Sequence, residues 1–524
     1  MSIVSFSFLF FLALFCILYF IFPKKIQWIL LLAGNLFFYA FSGYQYLVFL
    51  LSCTFFTWYA ALRIEKNASE LKTALSNVPD KEDKAVLRRK YGKKKNGWIT
   101  IALILTLGVW IVLKYGPFLL DSIASICKLP ELQGSLKFIV PLGMSFYTFD
   151  AIGYMIDVSR SKYPAEKNYF KYLTFVSFFP HIIQGPFSRF DKLGKSLFYE
   201  HGFSFDRLSQ GFGRILWGYF KKMLIADKLA LTVNEIFSNY GIYSGTHILL
   251  VIFLYGIQIY ADFSGYMDIV CGISHVLGIS LEENFRQPFF AVSVEEFWRR
   301  WHITLGHWFR DYLFYPISMG KRAQRIGKKV RSRFGPQAGK HVITFISLFW
   351  VWSATGLWHG ANWTYLIWGW LNLFVLLLSQ VLDPWYEKAR NFCHISLTNK
   401  AWHLFRIIRT FCLVCFFRLF SRADSLRTAV DMMRKIFTDF NKKLLASTMS
   451  LFPGMKEENV YIVLASVVIL LIVDILSEKG KWTLLKEKMP FPIRDLAYVL
   501  LIASLILFAG NGEDIAKNFI YANF

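Results

Sequence analysis

The sequence has little charge, and most of that charge is of one sign. Charged residues make up 18% of the 524 residues and hydrophobic residues 55%, whereas soluble domains carry about 25% charge. Acidic side chains number only 35 against 59 basic ones, so the formal net charge is +24. Residues 1–23 contain no charged side chain, and residues 26–62 contain none either. These blocks exclude a soluble globular domain.

Several catalytic and binding signatures are also absent. The sequence contains no GxSxG elbow, no Walker A sequence, no HExxH and no zinc-type cysteine and histidine spacing. Cys412 and Cys415 have the CxxC spacing, but they lie in an apolar run with no second pair nearby. Buried small side chains explain them better than redox or zinc chemistry. We therefore predict no in-chain serine triad, no metal site and no bound cofactor.

Long apolar runs are what the sequence does contain. A membrane-spanning helix needs about 20 apolar residues. The sequence has no alternating apolar and polar pattern of the kind that predicts the strands of a membrane β-barrel. The first run lacks a basic start and a cleavage site, so it is expected to be a span and not a signal peptide. The sequence predicts an all-α polytopic membrane protein with roughly 11–12 transmembrane helices. Candidate spans are one in 1–23, two in 26–62, and one each in 98–119, 137–158, 207–225, 246–272, 341–352, 361–382, 403–420, 459–475 and 494–510.

Basic residues are concentrated between these spans. Residues 63–97 hold eleven Lys/Arg against five acids, and residues 321–340 hold eight Lys/Arg and no acid. The positive-inside rule predicts that both stretches are cytoplasmic and that both chain ends face outside. The basic stretch 418–443 does not fit this simple count of spans, and the side of the membrane that it faces stays open. Membrane lipid is the expected surrounding, and nothing besides net charge suggests nucleic acid.

The middle of the chain differs from its two ends. Spans within 138–363 are interrupted by Gly, Pro and polar residues, whereas 1–119 and 459–524 resemble ordinary membrane helices. Polar groups at membrane depth are costly and usually face a protein interior or a cavity. We therefore predict one membrane-embedded domain, with peripheral spans in 1–119, a catalytic core in 138–363 and C-terminal spans in 459–524.

Two segments of this core carry histidines. The charge-free stretch 341–382 is long enough for two spans, and we expect a turn near 356–362 that places His359 at a helix break. A neutral imidazole there suits a general base, although a hydrogen bond between helices is equally compatible. The mixed segment 295–316 predicts a re-entrant or interfacial helix. His302 and His307 on one helix would point about 140° apart, a poor metal pair; membrane anchoring is favoured for His307 and left open for His302.

Three further polar segments belong to the core, at 141–150, 179–189 and 260–268. The last of them contains Asp262 and Asp268, which suit acid/base work or cation binding. Such carboxylates more often pair with an arginine inside a helix bundle, and we favour that interpretation.

Together these segments resemble the membrane-bound O-acyltransferase family, most closely the bacterial branch of the alginate O-acetyltransferase membrane subunit. Several motifs in register are more specific than any one of them. The segments that carry the resemblance are 141–157, 179–189, 260–268, 284–289, 297–316, 356–363 and the tail 519–524. Departures from the family pattern occur at Asp150, His181 and Gln184.

The resemblance implies a ring of tilted helices around a buried chamber that opens to both faces. It implies that His359 and His302 are the catalytic residues. An acyl group, usually acetyl, would pass from a cytoplasmic thioester, acetyl-coenzyme A or an acyl-carrier protein, to an extracytoplasmic polysaccharide. The transfer would be direct or through a partner with an SGNH-like Ser-His-Asp site. Side chains expected to line the substrate site are Trp298, Asp311, Trp358, Asn362, Gln184, Asp262 and Ser264.

Two alternatives remain at this point. D-alanyl transfer to teichoic acid from a carrier protein is compatible with the same fold, although the length and ending of this chain favour the acetyl branch. A secondary transporter would also have broken helices, but the two halves lack corresponding interrupted spans. The basic stretches 63–97 and 321–340 suit an anionic donor at the cytoplasmic face, and the positive-inside effect explains them equally well.

Overall fold

The computed structural model describes residues 2–509, in which the regular secondary structure is all helical apart from one isolated bridge between Phe285 and Trp301. The all-α prediction is confirmed. The tail 519–524, which contributed to the family resemblance, lies outside the described residues. The chain packs as two compact units, and the expected single domain stays a prediction.

Unit 1 comprises Met1–Gly211 and Val270–Glu282. Its helices are α1 (Phe6–Ile21), α2 (Gln27–Ala40), α3 (Leu47–Ser76), α4 (Lys81–Leu103), α5 (Val109–Cys127), α6 (Met144–Ser159), α7 (Tyr169–Val176) and α8 (Lys195–Leu197). The basic stretch 63–97 is therefore mostly helical, because α3 and α4 extend into it from both sides.

The start of α6 shows how a glycine shortens a predicted span. A span over 137–158 is expected from hydropathy, but α6 begins only at Met144. Gly143 before it has a φ of 70°, and a Cβ there would lie 2.3 Å from the carbonyl oxygen of Ile182. Only glycine suits this left-handed and crowded position, so the chain approaches α6 in an irregular conformation.

Unit 2 comprises Phe212–Ile269 and Glu283–Phe524, as far as the chain is described. Helices α9 (Phe205–Tyr219) and α11 (Gly245–Val276) cross the boundary between the units, and α10 is Asp227–Ser238. The remaining helices are α12 (Val294–Arg300), α13 (Ile303–Phe309), α14 (Tyr315–Ser318), α15 (Lys321–His359), α16 (Trp363–Phe392), α17 (Lys400–Arg422), α18 (Leu426–Thr438), α19 (Thr448–Leu451), α20 (Glu457–Glu478), α21 (Lys481–Lys488) and α22 (Phe491–Phe508).

Within residues 2–509, seven helices are long and apolar enough to cross a membrane. They are Tyr44–Ser76, Lys81–Cys127, Gly245–Val276, Lys321–His359, Trp363–Phe392, Glu457–Glu478 and Phe491–Phe508. Fewer helices meet this criterion than the predicted number of spans, because α1 and α6 have 16 residues each and α17 carries several arginines. The chain is nevertheless a multi-pass membrane protein, as predicted.

Candidate active site

His359 is the last residue of α15, at the turn that joins α15 to α16. Gly360 leaves the helix in an extended conformation, and the side chain of Asn362 accepts a hydrogen bond from the Thr364 amide (3.1 Å) to cap α16. A Cβ on Gly356 would lie 2.6 Å from the carbonyl oxygen of Tyr365. Because glycine permits this approach, the two helices pack backbone to backbone. The turn predicted near 356–362 is confirmed.

Aromatic rings surround the His359 imidazole. Its ring centroid lies 4.8 Å from that of Trp358 and 5.1 Å from that of Trp368, both nearly perpendicular. His359 is 7% exposed. A buried imidazole at a helix end is a candidate general base.

His302 occupies a junction between two short helices and not a helix itself. Helix α12 ends at Arg300 and α13 begins at Ile303, while His302 has φ 49° and ψ 53°. A non-glycine residue in this left-handed region costs about 1–3 kcal/mol. The segment 295–316 is thus helical on both sides of His302, and the 140° separation expected on one helix does not apply.

Asn284 holds this junction. Its Oδ1 accepts hydrogen bonds from the amide (3.0 Å) and the hydroxyl (2.7 Å) of Thr304, and His302 Nδ1 lies 3.4 Å away. Since the amide oxygen is fixed as an acceptor, Nδ1 of His302 carries the hydrogen and Nε2 carries the lone pair. Burial lowers the pKa of His302 to about 3. The imidazole is therefore neutral near pH 7 and has a defined tautomer.

The rings of His302 and His359 both lie next to the indole of Trp358. The ring of Trp358 lies 5.7 Å from that of His302 and 4.8 Å from that of His359. Trp298 lies 5.7 Å from Trp368, the other ring against His359, and its Nε1 donates to Asn372 Oδ1 (3.0 Å). Residues far apart in sequence thus form one site in unit 2, which we call the histidine–tryptophan site: His302, His359, Trp298, Trp358 and Trp368.

His307 differs from His302 despite the short separation. It is exposed on α13, whereas His302 is 3% exposed. The membrane anchoring favoured for His307 stays a prediction.

Asp262 and Ser264 belong to a neighbouring group of buried charges in unit 2. Lys222 Nζ lies 2.8 Å from Oδ1 of Asp262 and 2.8 Å from Oδ1 of Asp227, and the three side chains are nearly inaccessible. Lys221 donates to Ser264 Oγ (2.9 Å). The structure thus shows the ion-pair alternative for Asp262, with lysine in place of the expected arginine. We call Lys222, Asp262 and Asp227 the lysine triad.

Burial raises the pKa of Asp227 to about 7, although Lys222 beside it acts in the opposite direction. Asp268 is paired in a similar way, with Lys221 (2.6 Å) and Arg214 (2.9 Å). Buried ions need such partners to offset lost hydration. These groups hold helices together, and their use in substrate binding stays a prediction for Asp262 and Ser264.

Three other predicted site residues, Asp311, Asn362 and Gln184, make their own local contacts. Asp311 is half-buried and pairs with Arg310 Nε (3.0 Å). Asn362 caps α16, and its Nδ2 donates to the Asp424 carbonyl (3.5 Å). Gln184 belongs to unit 1, where it is completely buried and its amide atoms have no hydrogen-bond partner within residues 2–509. Substrate roles for these three residues stay predictions.

Unit 1 also contains the departures from the family pattern. Asp150 Oδ2 lies 3.5 Å from His181 Nδ1, and Asp150 Oδ1 accepts from the Ser188 amide (3.1 Å). Burial lowers the pKa of His181 to about 4. His181 is consequently a neutral, internally bonded histidine and packs as part of the turn.

Sequence reasoning missed Arg418. It was counted with the basic stretch 418–443, but α17 continues to Arg422 and buries Arg418 to 2% exposure. Its guanidinium carbon lies 4.2 Å from the ring centroid of Trp301. A desolvated cation–π contact contributes about 2 kcal/mol, less than the several kcal/mol that burying a charge costs. The signal in the sequence is an arginine between Phe417 and Leu419 in an apolar run.

Comparison with known proteins places this site in context. The sequence matches the family described as MBOAT, membrane-bound O-acyltransferase family, over residues 158–420. It is 32% identical to a probable alginate O-acetylase AlgI of Pseudomonas syringae over 434 residues, covering 82% of this chain and 73% of that protein. It is 27% identical to a peptidoglycan O-acetyltransferase of Helicobacter pylori (79% and 73% covered) and to a teichoic acid D-alanyltransferase of Bacillus subtilis (53% and 68% covered). The matched interval contains both histidines.

Proposed function

Because this chain belongs to the membrane-bound O-acyltransferase family, we propose that it moves an acetyl group from a cytoplasmic thioester to hydroxyl groups of an extracytoplasmic polysaccharide. It is a multi-pass membrane acyltransferase. The observation that carries the proposal is the convergence of neutral His302 and buried His359 on Trp358. The relatives are named for alginate, peptidoglycan and teichoic acid, so a class of polymer is proposed and not one polymer.

In the proposed mechanism, His359 is the general base. It removes the proton of the acceptor hydroxyl as the oxygen attacks the thioester carbonyl. The carbon–sulfur bond then breaks, and the protonated imidazole returns the proton to the leaving thiolate. General base catalysis of this kind contributes roughly 10²–10⁴-fold. His302, with its defined tautomer, orients the acceptor or stabilises developing charge.

The exposed charge of the stretch 321–340 supports a cytoplasmic donor. All eight of its basic residues are exposed, and the chain folds back at Gly335 (φ 89°) before the segment that ends at His359. An anionic thioester, acetyl-coenzyme A or an acidic acyl-carrier protein, would be attracted to the basic end. On this proposal the basic stretch attracts the donor, and the chemistry occurs at His359, where α15 ends.

The test is acyl transfer by the purified full-length protein in nanodiscs. Labelled acetyl-coenzyme A, acetyl-carrier protein and D-alanyl-carrier protein are offered as donors, with polysaccharide alone or with an SGNH-like partner as acceptor. We expect His359→Ala to reduce acetyl transfer at least 10²-fold, while His307→Ala, the exposed matched control, keeps wild-type rates. Full activity of His359→Ala contradicts the assignment. Exclusive use of the D-alanyl donor replaces the acetyl proposal, and dependence on the partner establishes a relay.

A further inference from the structure

Arg418 is a buried cation for which the described chain supplies no counter-ion. Its Nε and Nη2 atoms are inaccessible and have no hydrogen-bond partner within residues 2–509, and no carboxylate of those residues forms a salt bridge with it. Two buried carboxylates of the same unit, Asp262 and Asp227, are already engaged by Lys222. The guanidinium therefore has two buried donors whose hydrogen bonds the described chain does not supply.

The aromatic surroundings of Arg418 orient its guanidinium plane but do not neutralise its charge. It stacks on Trp301, whose ring lies 5.0 Å from Phe285 and 5.5 Å from Phe297. Aromatic faces attract a cation but do not accept the hydrogen bonds of Nε and Nη2. Trp301 immediately precedes His302. The unsatisfied donors of Arg418 therefore lie beside the helix junction that contains His302, a predicted catalytic residue.

The position of Arg418 along α17 indicates which substrate it meets. Asn362 donates to the carbonyl of Asp424, so the C-terminal end of α17 lies beside the turn that follows His359. The basic stretch 321–340, where the anionic donor is proposed to bind, is exposed and folds back on itself at Gly335. Arg418 is buried and precedes Asp424 by less than two helical turns. It therefore lies beside the end of α15 and outside the stretch proposed for the donor, which leaves the acceptor as its ligand.

We propose that Arg418 binds an acidic group, a carboxylate or a phosphate, on the acyl acceptor. The planar fork of donors on a guanidinium matches the two oxygens of such a group. An acceptor anion would supply the hydrogen bonds that Nε and Nη2 lack and would set the hydroxyl beside the histidines. This assignment deepens the proposed function and rests on it for the identity of the ligand as an acceptor.

The first test measures binding without catalysis. Thermal unfolding of detergent-purified protein is followed with glucuronate, glucose 6-phosphate or glucose, which share a ring and differ in charge. A ligand that binds only the native state raises its stability. We expect at least one charged probe to raise the Tm, glucose to have no effect, and Arg418→Met to abolish the shift. Arg422→Met, which removes a half-buried arginine bonded to Asn234 on the next turn, should retain it.

The same experiment separates a binding role from a structural one. If Arg418 exists to bind an anion, ligand-free Arg418→Met should unfold at a temperature no lower than that of the wild type, because an unpaired buried charge is removed. A lower Tm of that variant, an equal shift with glucose, or a shift that survives Arg418→Met overturns the proposal. Arg418→Lys keeps the charge without the fork and should keep only part of the shift.

The second test uses transfer kinetics with acidic and neutral acceptors. Arg418→Met should raise the KM for the acidic acceptor about tenfold or more, with kcat and the donor KM within threefold of wild type. A fall in kcat alone would place the charge at the reacting carbonyl, and a higher donor KM would place it at the donor phosphate; either outcome overturns the acceptor assignment. If the wild type transfers no acyl group from any thioester, the proposed function fails, while the Tm measurement still decides whether Arg418 binds an anion.

Discussion

Unit 2 contains two buried polar sites of opposite character. In the lysine triad, a cation lies 2.8 Å from each of two carboxylates. In the histidine–tryptophan site, two buried imidazoles lie among indole rings, and the nearby Arg418 has no acidic partner within residues 2–509. The first site resembles the interior of any folded bundle. The second contains the two histidines to which the proposed function assigns catalysis.

The comparison also shows that burial alone does not identify a catalytic carboxylate. Asp262 is as buried as His302 and lies in a segment that supports the family resemblance. Its charge is nevertheless offset by Lys222, so its resting state is stabilised and not poised for reaction. The difference between the two sites can be tested by changing each in turn.

The largest effect on folding is expected at the lysine triad. Lys222→Met leaves two carboxylates buried without their cation, and breaking a buried ion pair costs about 3–5 kcal/mol. Denaturant unfolding in detergent measures the loss. Lys222→Met combined with Asp262→Asn and Asp227→Asn removes the unpaired charges and should recover most of the stability. If the single variant is as stable as the wild type, the triad is not a structural element.

A smaller and pH-dependent effect is expected at His302. Because burial holds its pKa near 3, below the unfolded value of about 6.5, the unfolded chain binds the extra proton as the pH falls from 6.5 towards 3. Stability contributed by neutral His302 is complete above pH 6.5 and is lost on acidification. Between pH 6.5 and 5 the loss should reach roughly 1–2 kcal/mol.

The variant for comparison is His302→Asn, because asparagine tolerates the left-handed backbone. Unfolding measured at several pH values should show a steeper acid loss for the wild type than for this variant. Parallel pH curves would mean that His302 is not a buried neutral group.

The smallest effect is expected at Asn362, where two variants separate helix capping from substrate binding. Asn362→Ala removes an N-cap, which costs about 1 kcal/mol. Serine caps equally well, so Asn362→Ser should restore stability. If Asn362 also binds substrate as predicted, transfer activity stays low in Asn362→Ser. Wild-type activity in that variant would restrict Asn362 to capping.

The features that the sequence predicts best are those that depend on local pattern. The turn at His359 follows from an uninterrupted charge-free stretch with glycine and asparagine at its centre. The all-α architecture follows from the apolar runs in the same way.

What could not be predicted depends on residues far apart in the chain. Asn284 fixes the tautomer of His302 through contacts across 18–20 positions, and Lys222 reaches Asp262 across 40. Neither partner has a local signature. Arg418 is a different case: the candidate span 403–420 includes it, but the same residue also begins the basic stretch 418–443, and only the packing of α17 shows that it is buried.

The left-handed backbone of His302 restricts which residues this position tolerates. β-Branched side chains are strongly disfavoured at φ near 49°, so valine, isoleucine and threonine would disturb the junction itself. Glycine, asparagine and aspartate fit the backbone but lack the imidazole. A saturation library at position 302 would therefore contain misfolded and folded variants, and only the folded ones would report on the role proposed for the ring.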